Sequence, residues 1–113
     1  MTAFDVHPDG ALTGRRVWAE LGQRVPDGIC LDADGRIWFA NALAPECVLI
    51  AEDGKIVEVV DTAEPCFACM LGGDDGRTLY MLTAPTSVSA IASQSHSGKV
   101  LAARVEVPYA GLP

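Results

Sequence analysis

Leu31-Asp32-Ala33-Asp34-Gly35-Arg36-Ile37-Trp38-Phe39-Ala40 is echoed later in the chain by Leu71-Gly72-Gly73-Asp74-Asp75-Gly76-Arg77-Thr78-Leu79-Tyr80-Met81. In each, an apolar stretch runs into Asp-Gly and then into Arg and a second apolar stretch. Gly35 and Gly76 are separated by roughly 40 positions, and repeats of about 40–45 residues fit the four-stranded blades of a β-propeller, which bury their faces only by stacking on neighbours. The repeat therefore decides the fold class: all-β, with two consecutive blades.

Working outward, Asp-Gly recurs at Asp9-Gly10 and Asp53-Gly54, again between apolar or alternating segments. This dipeptide is the strongest short-range hairpin signal, because its left-handed backbone matches the twist of the strands that it joins. Strands are expected near Thr2–Val6, Arg15–Glu20, Gly28–Asp32, Arg36–Asn41, Cys47–Ala51, Lys55–Val60, Phe67–Leu71, Thr78–Leu82 and Gly98–Val107, and no segment carries a helical period. Phe4-Asp5-Val6-His7-Pro8-Asp9-Gly10 aligns with Leu49-Ile50-Ala51-Glu52-Asp53-Gly54, the turn between the third and fourth strands of a blade. The expected organisation is one partial propeller of about two and a half four-stranded antiparallel blades: a half blade at 1–22, a full blade at 23–62 and an incomplete blade at 63–113.

A chain of 113 residues falls short of even a four-bladed ring, which needs roughly 160. Open blade faces and unpaired edges are association-prone, so a homo-oligomer is expected, a dimer formed through the exposed blade edges. A back-to-back pair or a rearranged sheet would cover those edges. A net charge of −7 opposes nucleic acid and anionic lipid as partners. No apolar run approaches the ~20 residues of a membrane span. Met1-Thr2-Ala3-Phe4-Asp5 lacks the basic start and apolar stretch of a secretion signal, so the cytoplasm is the expected compartment.

Chemistry is expected at the end of the blades away from the Asp-Gly hairpins. Val25-Pro26-Asp27-Gly28 lies one strand length before Asp34-Gly35, so at ~3.3 Å per residue Asp27 sits at the opposite end of that strand. The loops at Asn41–Glu46, Thr62–Cys66 and Ala84–Ser97 share its side. A carboxylate at the mouth of an innermost strand stands near the axis where loops converge. Asn41 reads either as a substrate contact or as a turn-capping residue.

Pro26-Asp27-Gly28-Ile29-Cys30-Leu31-Asp32-Ala33-Asp34-Gly35, followed by Ile37-Trp38 and by Cys69-Met70-Leu71-Gly72-Gly73, resembles the SMP-30/gluconolactonase/LRE-like family. Thr2-Ala3-Phe4-Asp5-Val6 and Arg15-Arg16-Val17-Trp18-Ala19 are similar to it as well, so the resemblance covers nearly the whole chain. It implies the later portion of a six-bladed propeller and metal-dependent hydrolysis of a lactone or similar ester. The cofactor implied is a divalent cation, calcium or zinc, held by a Glu, an Asn and the Asp of the Pro-Asp-Gly motif. Only the last has a counterpart, so the resemblance makes Asp27 both metal ligand and the base that activates water. Phe67-Ala68 stands where the family often carries Thr-Ser, which makes Phe67 an apolar substrate-binding wall for a small lactone. With the other two ligands lacking counterparts, the chain alone is expected to bind no cation in one reading. The alternative function is a non-catalytic fragment that assembles with itself or with a partner.

Four cysteines remain. Cys66-Phe67-Ala68-Cys69 has the spacing of a redox dithiol or half a zinc site, but it falls on a strand rather than at a helix N-terminus. Strand alternation is expected to send Cys66 and Cys69 to opposite faces, as structural thiols. His7 and His96 lack a nucleophile elbow to serve, and Trp18, Trp38, Phe39 and Tyr80 read as strand packing.

Overall fold

The computed structural model describes residues 1–88, 94 and 96–111. They form nine strands: β1 (Thr2–Val6), β2 (Leu12–Val17), β3 (Pro26–Leu31), β4 (Ile37–Asn41), β5 (Glu46–Ile50), β6 (Ile56–Asp61), β7 (Cys66–Gly72), β8 (Thr78–Thr83) and β9 (Lys99–Arg104). No helix occurs among the described residues, and none is long and apolar enough to cross a membrane. Part of the expected Ala84–Ser97 loop lies outside the described residues.

The strands make three antiparallel sheets in chain order: β1-β2, β3-β4-β5-β6 and β7-β8-β9. The β1-β2, β3-β4, β5-β6 and β7-β8 hairpins each close on an Asp-Gly turn with one shared geometry. Gly10, Gly35, Gly54 and Gly76 donate their amides three residues back, to His7, Asp32, Ala51 and Gly73, at 2.8–3.1 Å. Gly35 and Gly76 stand at φ 75° and 71°, a left-handed conformation that glycine adopts without a steric penalty. Asp9, Asp53 and Asp75 each accept the amide two residues on, at Ala11, Lys55 and Arg77. These bonds hold the tight turn that pairs one strand with the next.

The middle sheet is covered on both faces, as the apolar character of β4 and β5 requires. Trp38, Ala40, Cys47 and Leu49 face the third sheet and join Cys66, Cys69, Leu71, Leu79 and Met81 in the larger core. Phe39, Val48 and Ile50 face the other way, against Ala19, Met1, Trp18 and Leu21. Burying each large apolar side chain contributes about 1.5–3 kcal/mol, so this central pair of strands dominates the stability. The two inner strands β3 and β7 approach so closely that a Cβ on Gly28 would stand 2.8 Å from the Ala68 Cα.

β7 carries a bulge between Cys66 and Ala68. The extra residue corrects the expectation for the cysteines. Cys66 and Cys69 both face inward, 0 % and 7 % exposed, because the bulge shifts the alternation by one position.

Beyond β9 the chain crosses beneath the Asp-Gly end of both large sheets. Val105 donates to Arg77 O, Tyr109 to Gly76 O and Ala110 to Leu31 O, while Ala33 donates back to Pro108 O. Val105 is buried in the larger core and Tyr109 packs against it. This strap joins the turn of β3-β4 to the turn of β7-β8. At the outer limits of the stack, apolar side chains stay uncovered: Val6 is 73 % exposed on the first hairpin and Val100 69 % on the third sheet. The radius of gyration, 15.1 Å, exceeds the ~13 Å of a compact chain of this size, as expected of sheets stacked in a row.

Candidate functional site

Asp27 is the second residue of β3, at the end opposite the Asp34-Gly35 turn. Its surroundings are tied together by the loops that the sequence places on that side. Ala42 donates to Val25 O, Thr62 to Pro45 O and Ala84 to Pro65 O, so the strand ends within each large sheet brace one another. Lys99 Nζ pairs with Glu64 Oε1 at 2.7 Å. One end of the stack is thus a rim of loops, each tied within its own sheet, with Asp27 on it.

Asp27 is exposed. It borders a cavity of about 420 Å³ between the first hairpin and β3, whose other walls include Thr2, Trp18, Ile29, Leu31 and Ile37. The carboxylate is the one charged side chain in an otherwise largely apolar lining. It also differs from most of the turn aspartates in its bonding. Asp9, Asp53, Asp61 and Asp75 each accept a backbone amide two residues on, and Asp5, Asp32 and Asp34 pair with arginines. Asp27 makes neither kind of contact with any described residue. Its oxygens are available to a ligand.

Asn41 is placed otherwise. It is 3 % exposed, and its Oδ1 accepts the amides of Val25 at 3.2 Å and Leu43 at 3.3 Å. Its Nδ2 donates to Glu46 Oε1 at 2.8 Å, an oxygen that also receives Arg24 Nε at 2.9 Å. Asn41 therefore anchors the rim, with both ends of its amide engaged. Phe67 is half-buried and is the extra residue of the β7 bulge, outside the lining of the Asp27 cavity.

Two groups on this rim escape a sequence reading. Glu64 Oε2 and Thr83 Oγ1 are buried without a partner among the described residues. The sequence offers a signal for Glu64 only in its position within the Thr62–Cys66 loop. A third missed residue lies at the far end: Asp32, 0 % exposed, accepts the amides of Asp34 and Arg36 on Oδ1 and Arg36 Nε on Oδ2 at 2.7 Å. It organises the turn rather than a site.

The described residues do not by themselves fit a divalent cation. Hard cations take six or more oxygen ligands, whereas no three His, Cys, Asp or Glu side chains among the described residues converge to hold a metal ion. Asp27 offers one carboxylate, and the Asn41 oxygen is already occupied by two amides. The arrangement can supply one oxygen ligand or one proton acceptor beside an apolar wall.

With this geometry in hand, known proteins give a consistent comparison. The family model of the SMP-30/Gluconolactonase/LRE-like region matches residues 1–85. The chain is 30% identical over 100 residues to regucalcin of Danio rerio, covering 84% of this chain and 34% of that protein. It is 33% identical over 92 residues to 6-deoxy-6-sulfogluconolactonase of Pseudomonas putida, covering 78% of this chain and 31% of that protein. Among solved structures, a luciferin-regenerating enzyme superposes with a TM-score of 0.76 at 18% identity, covering 96% of this chain and 39% of that one. The chain spans about a third of the length of these curated relatives.

Proposed function

The chain belongs to the SMP-30/gluconolactonase/LRE-like family, and we propose from that premise that it carries part of a site that hydrolyses a lactone or similar ester. Asp27 is the reacting carboxylate of this part. The observation that carries the reading is its place: it stands on a cavity rim with no hydrogen bond or ion pair from a described residue.

In this role Asp27 accepts a proton from the water that attacks the ester carbonyl, a positioned carboxylate being worth about 10²–10⁴-fold in rate. Trp18, Ile29 and Ile37 line the adjoining cavity and hold the apolar side of the substrate ring, excluding water from it. Asn41 keeps the strand end that bears Asp27 in place through the Val25 amide. A divalent cation at this rim needs ligands from outside the described residues.

The test is a lactone-hydrolysis assay of the chain with added calcium, zinc or manganese, run beside Asp27→Asn. A loss of about 10²-fold or more on substitution is the expected result. Equal turnover in both proteins overturns the role of Asp27.

A second reading has its own observation. Met70, Tyr80, Leu82 and Val100 are all exposed on one face of the third sheet, where Met70 lies opposite Tyr80 and Leu82 opposite Val100. That face is suited to a second copy of the chain, which makes the protein a self-assembling module. Absence of turnover with every cation, together with a stable dimer, favours this reading.

A further inference from the structure

The four cysteines, scattered in sequence, meet where the second and third sheets pack. Cys47, Cys66 and Cys69 belong to the larger core and Cys30 packs against it; all four are free thiols. They come from three strands: Cys30 from β3, Cys47 from β5, and Cys66 and Cys69 from β7. The bulge of β7 brings its two cysteines to one face, and β5 and β7 approach within 8 Å between Cα atoms.

The thiols act on one another in a row within this cluster. Cys30 and Cys69, Cys69 and Cys47, and Cys47 and Cys66 each shift one another's acidity. Carbonyls border the row: Cys69 Sγ donates to Gly28 O at 3.4 Å and Cys66 Sγ to Ala68 O at 3.5 Å. The members differ in acidity. The Cys69 contact and burial push the Cys30 thiol up, and the Cys66 contact and burial push Cys47 up. Cys69 is held down by Cys30, yet Cys47 and burial leave it raised. Cys66 alone is lowered, by Cys47 and by the backbone amides of Ala68 and Leu82. One end of the row is therefore the better nucleophile, and its immediate neighbour is Cys47.

We propose that Cys47 and Cys66 are a peroxide-oxidisable pair that closes into an intrachain disulfide, stapling the second sheet to the third. The Cys66 thiolate attacks one oxygen of hydrogen peroxide; the O–O bond breaks, and the departing hydroxide takes a proton to become water, leaving Cys66 as the sulfenic acid. The Cys47 sulfur then attacks the sulfenic sulfur, its proton departs with the hydroxyl as a second water, and the S–S bond forms. Two thiols are oxidised and one peroxide is reduced. Both sulfurs are 0 % exposed, so the oxidant enters only when the bulged end of β7 opens locally. Oxidation is accordingly slower than that of an exposed group. A metal role for the same row is disfavoured, since no three of its members are disposed to hold an ion.

The experiment treats the full chain with hydrogen peroxide, then unfolds it, alkylates remaining thiols with iodoacetamide and maps tryptic peptides without reduction. The expected result is a species lacking two hydrogens in which peptide Ile37–Lys55, carrying Cys47, is joined to Ile56–Arg77, carrying Cys66 and Cys69. Fragmentation is expected to place the bond on Cys66. Cys66→Ser loses the cross-link, whereas Cys69→Ser and Cys30→Ser keep it. The fragmentation of the unsubstituted chain stands even where a variant misfolds. Met70, 43 % exposed, reports that oxidant was present by its sulfoxide. Four alkylated thiols alongside oxidised Met70, a Cys30–Cys69 bond, or sulfinic acid without any disulfide overturns the proposal.

Discussion

Asp32 and Asp34 look interchangeable in the sequence, two acids in one turn, and the fold gives them unequal weight. Asp32 is wholly buried and holds two backbone amides and the Arg36 guanidinium, whereas the Asp34 side chain is 60 % exposed and meets Arg36 only at 3.3 Å. Removing a buried partner leaves two amides unsatisfied and the arginine with only its Asp34 contact, so Asp32→Ala is expected to cost about 3–5 kcal/mol. Asp34→Ala is expected to cost ~0–1 kcal/mol; urea denaturation of both variants checks the difference. Residues of this kind mark the limit of sequence reading. Asp27 is legible because Pro-Asp-Gly stands apart from the hairpin turns by one strand length, while the burial of Asp32 depends on the chain that crosses beneath it, visible only once Tyr109 is seen to pair with it.

At the scale of elements, hairpins are legible and faces less so. All nine strands appear where Asp-Gly turns and alternation place them, with shifts at the margins: β2 runs Leu12–Val17 rather than Arg15–Glu20, beside an irregularity between Ala3 and Asp5. β9 ends at Arg104 rather than Val107, because Val105 leaves the ladder to enter the core and bond to Arg77 O. The bulge in β7 is the larger surprise, since one extra residue reverses every face that follows. Its consequence is measurable in alkali. The folded-state pKa values of Cys30, Cys47 and Cys69 lie above the ordinary thiol value of 9.0, so the stability that they confer is complete below that value. It is lost as pH rises above it toward the folded values, by on the order of 1 kcal/mol per thiol at about pH 10. Cys66 shifts the opposite way and offsets part of this loss. Urea midpoints are expected to fall from about pH 8 to 10, and less steeply in Cys30→Ser.

For the whole molecule, the period of the repeat announces stacked blades, and the family and the superposed structure agree with it. What the period does not announce is which face is left open. Each large sheet turns one face back along the stack and one forward; the forward face of the middle sheet, with Trp38 and Leu49, is covered by the third sheet. The forward face of the third sheet, with Tyr80 and Leu82, is not. Light scattering during gel filtration is expected to find a dimer or larger species, and Leu82→Lys is expected to shift it toward monomer. An unchanged monomer in both proteins removes the case for self-association. Within one copy the C-terminal strap has a mechanical effect. Because Val105 to Ala110 laces together the two turns at one end, the sheets behave like pages bound along one margin: they can splay only at the unbound margin, and that is where Asp27 and the buried thiols of β7 would feel the leaves part.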